Sequence, residues 1–388
     1  MVEEFDLENK GKNNELVGGQ NKDQDSILPA KITFDKLISP KRIVEELNKY
    51  IHGQDVAKKT LAMSFYQKAN NYLQGKLDIV KSHTLLAGAD NTGKETIVRT
   101  LANIQNVPFV KIDFYNYYGK DLTTFMITEI MKSIIDYNEN DDLIFKENTP
   151  LSIIYFDGLD ILGSNEFYKV NDSVNNFSKE SYQREFSRLL EKDIVIAEDS
   201  EGNVITTGDM LFIGVGRFKR LEKIIEQDIT GAYRPGFKIV ASYPESKYFK
   251  KEEVFKFAKP KHFEEFGFLP KLYGDFPNMT YTSELKEEDF IKILKDKNSY
   301  LNRKIIEYKE LYKKDIKFTK KGLITLAKKL LKNGSNAGGI KQLVDETFQP
   351  LIYEPPTNSE IIINKDHIET TIGEKSFRNA YKQYVKNR

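Results

Sequence analysis

The chain has 388 residues, with 59 Lys and Arg against 58 Asp and Glu, four His and no Cys. At about 100–200 residues per domain this length accommodates two or three domains, and 39% hydrophobic with 30% charged residues fits a soluble globular chain. Balanced charge gives no prior for nucleic acid or a membrane surface as a partner; zero cysteine excludes disulfides, thiolate zinc sites, thiol nucleophiles and iron–sulfur clusters; and no apolar run reaches the ~18–20 residues of a membrane helix.

The N-terminal MVEEFDLENK lacks a basic stretch followed by an apolar one, so it does not read as a secretory signal, and a cytoplasmic location is expected. Residues 1–37 read as a disordered tail; residues 1–30 are polar, with seven acids against three lysines. Helices are expected over Pro40–Tyr50, opened by Ser39 and Pro40, and over Asp55–Tyr72. A buried strand, His83–Ala87, precedes a glycine-containing loop and a helix over Gly93–Asn103. Strand Phe109–Phe114, helix Thr123–Ile135, strand Leu151–Phe156, helix Ser181–Glu191 and strand Met210–Val215 follow. Short apolar strands alternating with helices predict an α/β fold around a parallel sheet. After Gly267 helices dominate: Lys286–Asp296, Ser299–Lys314, one capped by Thr319 and ending at Asn333-Gly334, and Gly339–Ile352. A short strand, Glu360–Ile363, closes this smaller, mostly helical domain. No internal repeat is found. His52, His83, His262 and His367 have no metal-ligand spacing and read as structural.

The most specific signal is Gly88-Ala89-Asp90-Asn91-Thr92-Gly93-Lys94, after a strand and at the start of a helix, the context a phosphate-binding P-loop requires. Turn and helix N-terminal amides can cradle phosphates while Lys94 neutralises them; a chance glycine-rich turn is the bland alternative. The residue after the lysine should be a Ser or Thr that ligates Mg2+, yet it is Glu95. Thr96, the next hydroxyl, lies ~100° further round the helix and points elsewhere. Nucleotide binding is therefore expected in weakened form. Strand Ser152–Phe156 ends in Asp157, which suits the metal-orienting acid. Gly158 stands where a water-activating Glu is needed, and Asp160, two residues on, replaces it only through a rearranged turn. Asp157-Gly158 is equally an ordinary turn pair.

From about Ile38 to Pro356 the chain resembles the ClpX family of AAA+ unfoldases, and more loosely HslU. The resemblance rests on YIHGQDVAKKTLAMSFY (Tyr50–Tyr66), the P-loop, FGFLPKLYGDFP (Phe266–Pro277) and EEDFIKILKDKNSYLNRKIIEYKELY (Glu287–Tyr312), in that order. It implies an AAA+ P-loop NTPase large domain over 38–266, a hinge over 267–279 and a small, mostly helical domain over 280–388. It also implies ATP or ADP with Mg2+, held through Asp157, and adenine contacts from Ile51, Gly53 and Gln54. Phosphate contacts fall on Gly88, Asp90, Asn91, Thr92, Gly93, Lys94, Glu95 and Thr96. By the same resemblance the Walker B glutamate falls on Gly158, the arginine finger on Asp275 and the small-domain sensor arginine on Gly338. Lys271 and Lys341 are the nearby cations.

The family's substrate-gripping pore loop corresponds to Asn116-Tyr117-Tyr118-Gly119, so Tyr117 and Tyr118 are candidates to grip polypeptide, or else simply pack. Its protease-docking tripeptide lands on Pro235-Gly236-Phe237, a turn by composition, and docking to a ClpP-like protease is disfavoured. Its zinc-binding N-terminal module is not expected in a chain without cysteine. The expected function is therefore a ClpX-like protein that binds ATP or ADP, hydrolyses it poorly or not at all, and handles polypeptide or a related AAA+ subunit in a homo- or hetero-hexamer. An active ATP-dependent unfoldase is the alternative. A nucleic-acid motor is weaker still, since only Arg378–Arg388 is basic.

Overall fold

A computed structural model describes residues 37–74, 81–117, 151–163, 179–191, 195–198, 204–230, 251–332 and 337–372. The chain divides into two compact units, a larger one closing at Ser283 and a smaller one running on from Glu284. The predicted helix Thr123–Ile135, the tripeptide Pro235-Gly236-Phe237 and Tyr118 lie outside the described residues.

The larger unit is built on five strands: β1 (Thr84–Ala87), β2 (Phe109–Asp113), β3 (Ser152–Asp157), β6 (Met210–Gly216) and β7 (Asn278–Tyr281). Their order is β2-β3-β6-β1-β7, and every pair is parallel. Two further strands, β4 (Val195–Glu198) and β5 (Val204–Thr206), form a separate antiparallel pair. Successive residues of β3 face opposite sides. Ile154 and Phe156 join one buried cluster, and Ile153 and Tyr155 join the other. A parallel sheet covered on both faces needs apolar residues on both, which is why its strands read as continuous apolar runs.

One face is covered by α1 (Pro40–Leu47), α2 (Asp55–Leu73) and α3 (Lys94–Gln105). The other carries α4 (Lys179–Leu189), α5 (Lys219–Thr230), α6 (Pro260–Phe266) and α7 (Pro270–Asp275). Helix α1 begins as its sequence implies, with Ser39 Oγ accepting from the Arg42 N–H and Pro40 at the first position. It stops three residues before Tyr50. Asn48 caps it, and the Ile51 N–H turns back to Leu47 O at 2.8 Å, so the chain leaves the helix early to enter α2.

The segment 267–279 is not a bare connection. It folds as α7 and runs into β7, whose pairing with β1 makes it the sheet's edge strand. Its two glycines and two prolines read locally as linker, and its partner lies about 200 residues earlier, out of reach of any local pattern.

The smaller unit holds α8 (Glu287–Lys295), α9 (Tyr300–Tyr312), β8 (Asp315–Phe318), α10 (Lys320–Lys332), α11 (Ala337–Tyr353), β9 (Glu360–Ile363) and α12 (Lys365–Thr371). Strands β8 and β9 pair in parallel. Thr319 caps α10, its Oγ1 accepting from the Gly322 N–H at 3.0 Å. The core gathers Phe290, Leu301, Phe318, Leu326, Val344 and Phe348. Among the described residues no helix is long and apolar enough to cross a membrane.

His83, just before β1, is buried, with Nδ1 accepting from the Phe212 N–H at 3.2 Å and its ring edge-on to Phe212 and Phe276. Burial, reinforced by the charges of Lys68 and Lys81, holds its pKa well below the ordinary 6.5. The unfolded chain therefore takes up a proton at this histidine below about pH 6.5 that the folded chain refuses, and stability falls as the pH drops through that value. Melting temperatures between about pH 7.5 and 5.5 should decline more steeply for the wild type than for His83→Asn. Equal slopes would remove His83 from the account.

Candidate functional site

The site lies at the carboxyl ends of β1, β3 and β6, the position at which open α/β sheets bind ligands. Strand β1 ends at Ala87, and the loop 88–93 delivers the chain into α3. Gly88 approaches β7 so closely that an added Cβ would lie 2.0 Å from Thr282 Oγ1; only glycine fits here. Asn91 (φ 57°) and Gly93 (φ 89°) adopt left-handed backbone, which coils the loop into its turn. A Cβ on Gly93 would meet nothing within 4 Å, so the loop's open side borders free space. Gly93 caps α3 without a side-chain hydrogen bond, leaving the first N–H groups of α3 for an anion.

Lys94 is buried, and its Nζ donates to Gly88 O at 2.8 Å and to Ala89 O at 2.6 Å. Burial lowers its pKa, and the charges of Asp90, Asp157 and Asp160 oppose that shift. Thr92 Oγ1 donates to Ala89 O at 2.9 Å and lies 2.5 Å from Thr282 Oγ1, tying the loop to β7. Asp90 is exposed, and Thr96 is exposed on α3, pointing away as its helical phase requires.

Of the candidate adenine-contact residues, Ile51 is buried against the α1–α3 face, and Gly53 and Gln54 are both left-handed (φ 69° and 61°). Gln54 holds a conformation that is strained for a non-glycine residue. Its amide is fully engaged: Nε2 donates to Thr92 O (3.1 Å) and Ser283 O (2.8 Å), and Oε1 accepts from the Ser283 N–H (2.7 Å). It thus fastens the phosphate loop to the segment leaving β7.

Asp157 stands at the tip of β3 and pairs with Lys111 at 3.0 Å. Lys111 also pairs with Glu95 at 2.8 Å, and Glu95 binds Arg99 at 2.7 Å. Burial alone raises the Glu95 pKa, but hydrogen bonds from Lys111 and Arg99 outweigh it and the carboxyl titrates below its ordinary value. For Lys111 the signs reverse. Burial lowers its pKa, bonds to Glu95 and Asp157 more than restore it, and the ammonium is held charged.

The other predicted acid, Asp160, sits in the 3-10 turn Leu159–Gly163, where Oδ2 accepts from the Phe218 N–H at 3.1 Å. Burial raises its pKa against the backbone bonds from Phe218 and Arg217. Its carboxylate is seated on the turn after β6, close enough that a Cβ on Gly216 would lie 2.3 Å from Oδ1. Between the two acids, Gly158 takes φ 75° under the ring of Tyr115, which would stand 2.8 Å from an added Cβ. Tyr117 closes the short 3-10 turn after β2.

Asp275, the position matched to an arginine finger, does not face outward. It is 2% exposed and ion-paired with Lys81 inside the larger unit. Lys271 is paired with Glu191. Gly338 lies in the first turn of α11 in the smaller unit.

Two cations escaped the sequence reading. Lys111 is one. Arg217, one residue past β6, is the other, pairing with Asp90 of the phosphate loop at 3.2 Å. Their signal was present but local rules discount it, because a lysine alternating with apolar residues in a strand reads as a solvated face.

This all-parallel sheet, with a glycine-lined loop leading from β1 into a helix and an acid at the tip of β3, has the architecture of the large domain of an AAA+ P-loop NTPase. A family profile described as "ATPase family associated with various cellular activities (AAA)" matches residues 84–223. Among curated proteins, the chain is similar to the ATP-dependent Clp protease ATP-binding subunit ClpX of Borrelia duttonii (strain Ly), 27% identical over 86% of this chain and 79% of that protein. The ClpX of Treponema denticola is 26% identical over 85% and 81% of the two chains. That of Bacteroides thetaiotaomicron is 25% identical over 85% and 80%. The chain thus resembles ClpX over most of its length and matches the AAA family over residues 84–223.

AAA proteins imply ATP or ADP with Mg2+. The loop 88–94 fits a nucleotide's phosphates, having an uncapped helix N-terminus, free space beside Gly93 and a buried lysine. The metal position does not fit a divalent cation in the same way. Its two carboxylates, Glu95 and Asp157, share an ammonium.

Proposed function

We propose that this chain binds ATP or ADP at the loop 88–94 and serves as a ring subunit with impaired or lost hydrolysis, handling polypeptide or a related AAA+ subunit. The observation that carries the reading is Gly158. The place for a water-activating carboxylate is a left-handed glycine roofed by Tyr115, and Asp160, its nearest substitute, is bonded to the Phe218 N–H. A general base must reach the attacking water, and neither residue offers a carboxylate for that task. The buried Lys81–Asp275 pair supports the same reading, since an arginine finger works by presenting its guanidinium to a neighbouring site. The ClpX relatives, named as ATP-binding subunits of a Clp protease, support a hexameric assembly with protein clients. Tyr117 and Tyr118 are the residues proposed to touch such a client.

A second reading, an active ATP-dependent unfoldase, draws on Lys94, whose Nζ donates to Gly88 O, and on Asp157 at the end of β3. Steady-state ATPase measurement on the purified chain, alone and mixed with an active ClpX, separates the two. The proposal expects bound nucleotide without turnover, and loss of at least tenfold in affinity in Lys94→Ala, about what one charge-assisted contact contributes. Turnover near the ~1–100 s⁻¹ of ordinary phosphoryl-transfer enzymes would sink it in favour of the unfoldase.

A further inference from the structure

The phosphate loop is followed at once by Glu95, a negative charge where a neutral metal-binding hydroxyl is needed. Asp157 adds a second. Two carboxylates beside a polyphosphate repel it unless a cation stands among them. The fold supplies one. In the parallel register of β2 and β3, Lys111 pairs with Tyr155, two residues before Asp157. That register carries the lysine onto the α3 side of the sheet, with its Nζ 6.0 Å from the centre of the Tyr155 ring. There it meets Glu95, in the first turn of α3, at 2.8 Å and Asp157 at 3.0 Å.

We propose that the Lys111 ammonium takes the place of Mg2+ in this site, so that ATP and ADP bind without a divalent cation. The inference rests on the nucleotide-binding reading above. An ammonium has three donors. Glu95 and Asp157 take two, and the third is left for a phosphate oxygen, giving a bridge from strand to helix to ligand like the one a metal makes. Lys94 likewise has two of its three donors on protein oxygens, those of Gly88 and Ala89. The charges balance once Arg99, paired with Glu95 at 2.7 Å, is counted: two carboxylates stand against two cations. A divalent ion entering between Glu95 and Asp157 would have to expel the lysine from both.

The three groups are comparably accessible, at 36% for Lys111, 37% for Glu95 and 36% for Asp157, so ligand and metal can both reach them and the choice is a thermodynamic one. Lys111 is then a binding residue with a consequence for chemistry. A lysine carries one charge on a flexible stem and cannot polarise a phosphoryl group as a divalent ion does.

Isothermal titration of the full chain with ATP and with ADP, in EDTA and in excess Mg2+, tests this directly. Wild type should give dissociation constants within about twofold of each other in the two buffers. Lys111→Met should weaken binding in EDTA by about tenfold or more, with Lys111→Arg retaining most of it and all variants keeping the wild-type melting temperature. Glu95→Ser with Lys111→Met should make binding Mg2+-dependent. Wild-type binding about tenfold or more tighter in Mg2+, or Lys111→Met binding unchanged in EDTA, would overturn the ammonium's role while leaving nucleotide binding intact. No binding in either buffer would instead remove the nucleotide reading, and this inference with it.

Discussion

An arginine placed at position 275 is expected to destabilise the larger unit by about 3 kcal/mol or more, and not to raise ATP turnover. In this molecule Asp275 closes the short helix α7, almost fully buried, with Lys81 as its ionic partner. Its other oxygen, Oδ2, has no hydrogen-bond partner among the described residues. Replacing the carboxylate by a guanidinium sets two cations against each other in a place that water barely reaches. Breaking a buried pair typically costs ~3–5 kcal/mol; because Lys81 is a third exposed, the lower end applies. Thermal melts of Asp275→Arg and Asp275→Asn distinguish charge reversal from simple loss of charge, with the asparagine milder. A fully stable Asp275→Arg that stimulates ATP hydrolysis in a mixed ring would show that residue 275 turns outward on assembly, contrary to its burial here.

The second large effect belongs to Phe156, whose replacement by alanine should cost about 3–5 kcal/mol. Its ring stacks on Phe212 (centroids 5.7 Å apart, 15° between planes) and stands edge-on to Phe186 at 5.0 Å and Phe114 at 5.7 Å. Three elements, β2's exit, α4 and β6, therefore converge on one side chain of β3. The residue after it is Asp157, so the cavity would open directly beneath the site acid. Phe156→Leu, which keeps more of the volume, should cost markedly less. Denaturant melts following the larger unit measure the difference, and near-equal midpoints for wild type and Phe156→Ala would contradict the packing described.

Much of the larger unit was legible because its strands are continuous apolar runs and its helices carry caps such as Ser39 and first-turn signals. The phosphate loop was legible because glycine at 88 and 93 is demanded by the backbone itself. What stayed hidden is long-range. Strand β7 is four residues beside a proline, and it becomes a strand only by pairing with β1. The fate of position 275 was hidden for the same reason. A match to a family position says which residue stands there but not which way it faces, and Lys81 lies 194 residues away along the chain. Lys111 illustrates the point at the site itself. Its two partners come from α3 and β3, and only the parallel register brings them to one ammonium. Asp160 was visible as a carboxylate near the right place. Its engagement by the Phe218 N–H depends on where β6 ends, which no local pattern reports.

The roofed glycine at 158 bears on what a carboxylate at this position would require. A glutamate there must adopt a left-handed backbone, at about 1–2 kcal/mol, and must also push aside the Tyr115 ring that would touch its Cβ. Placing a carboxylate at 158 therefore requires two coordinated changes, one at β3's exit and one after β2. The turn sets a steric threshold: a glutamate at 158 fits only together with a smaller or displaced side chain at 115.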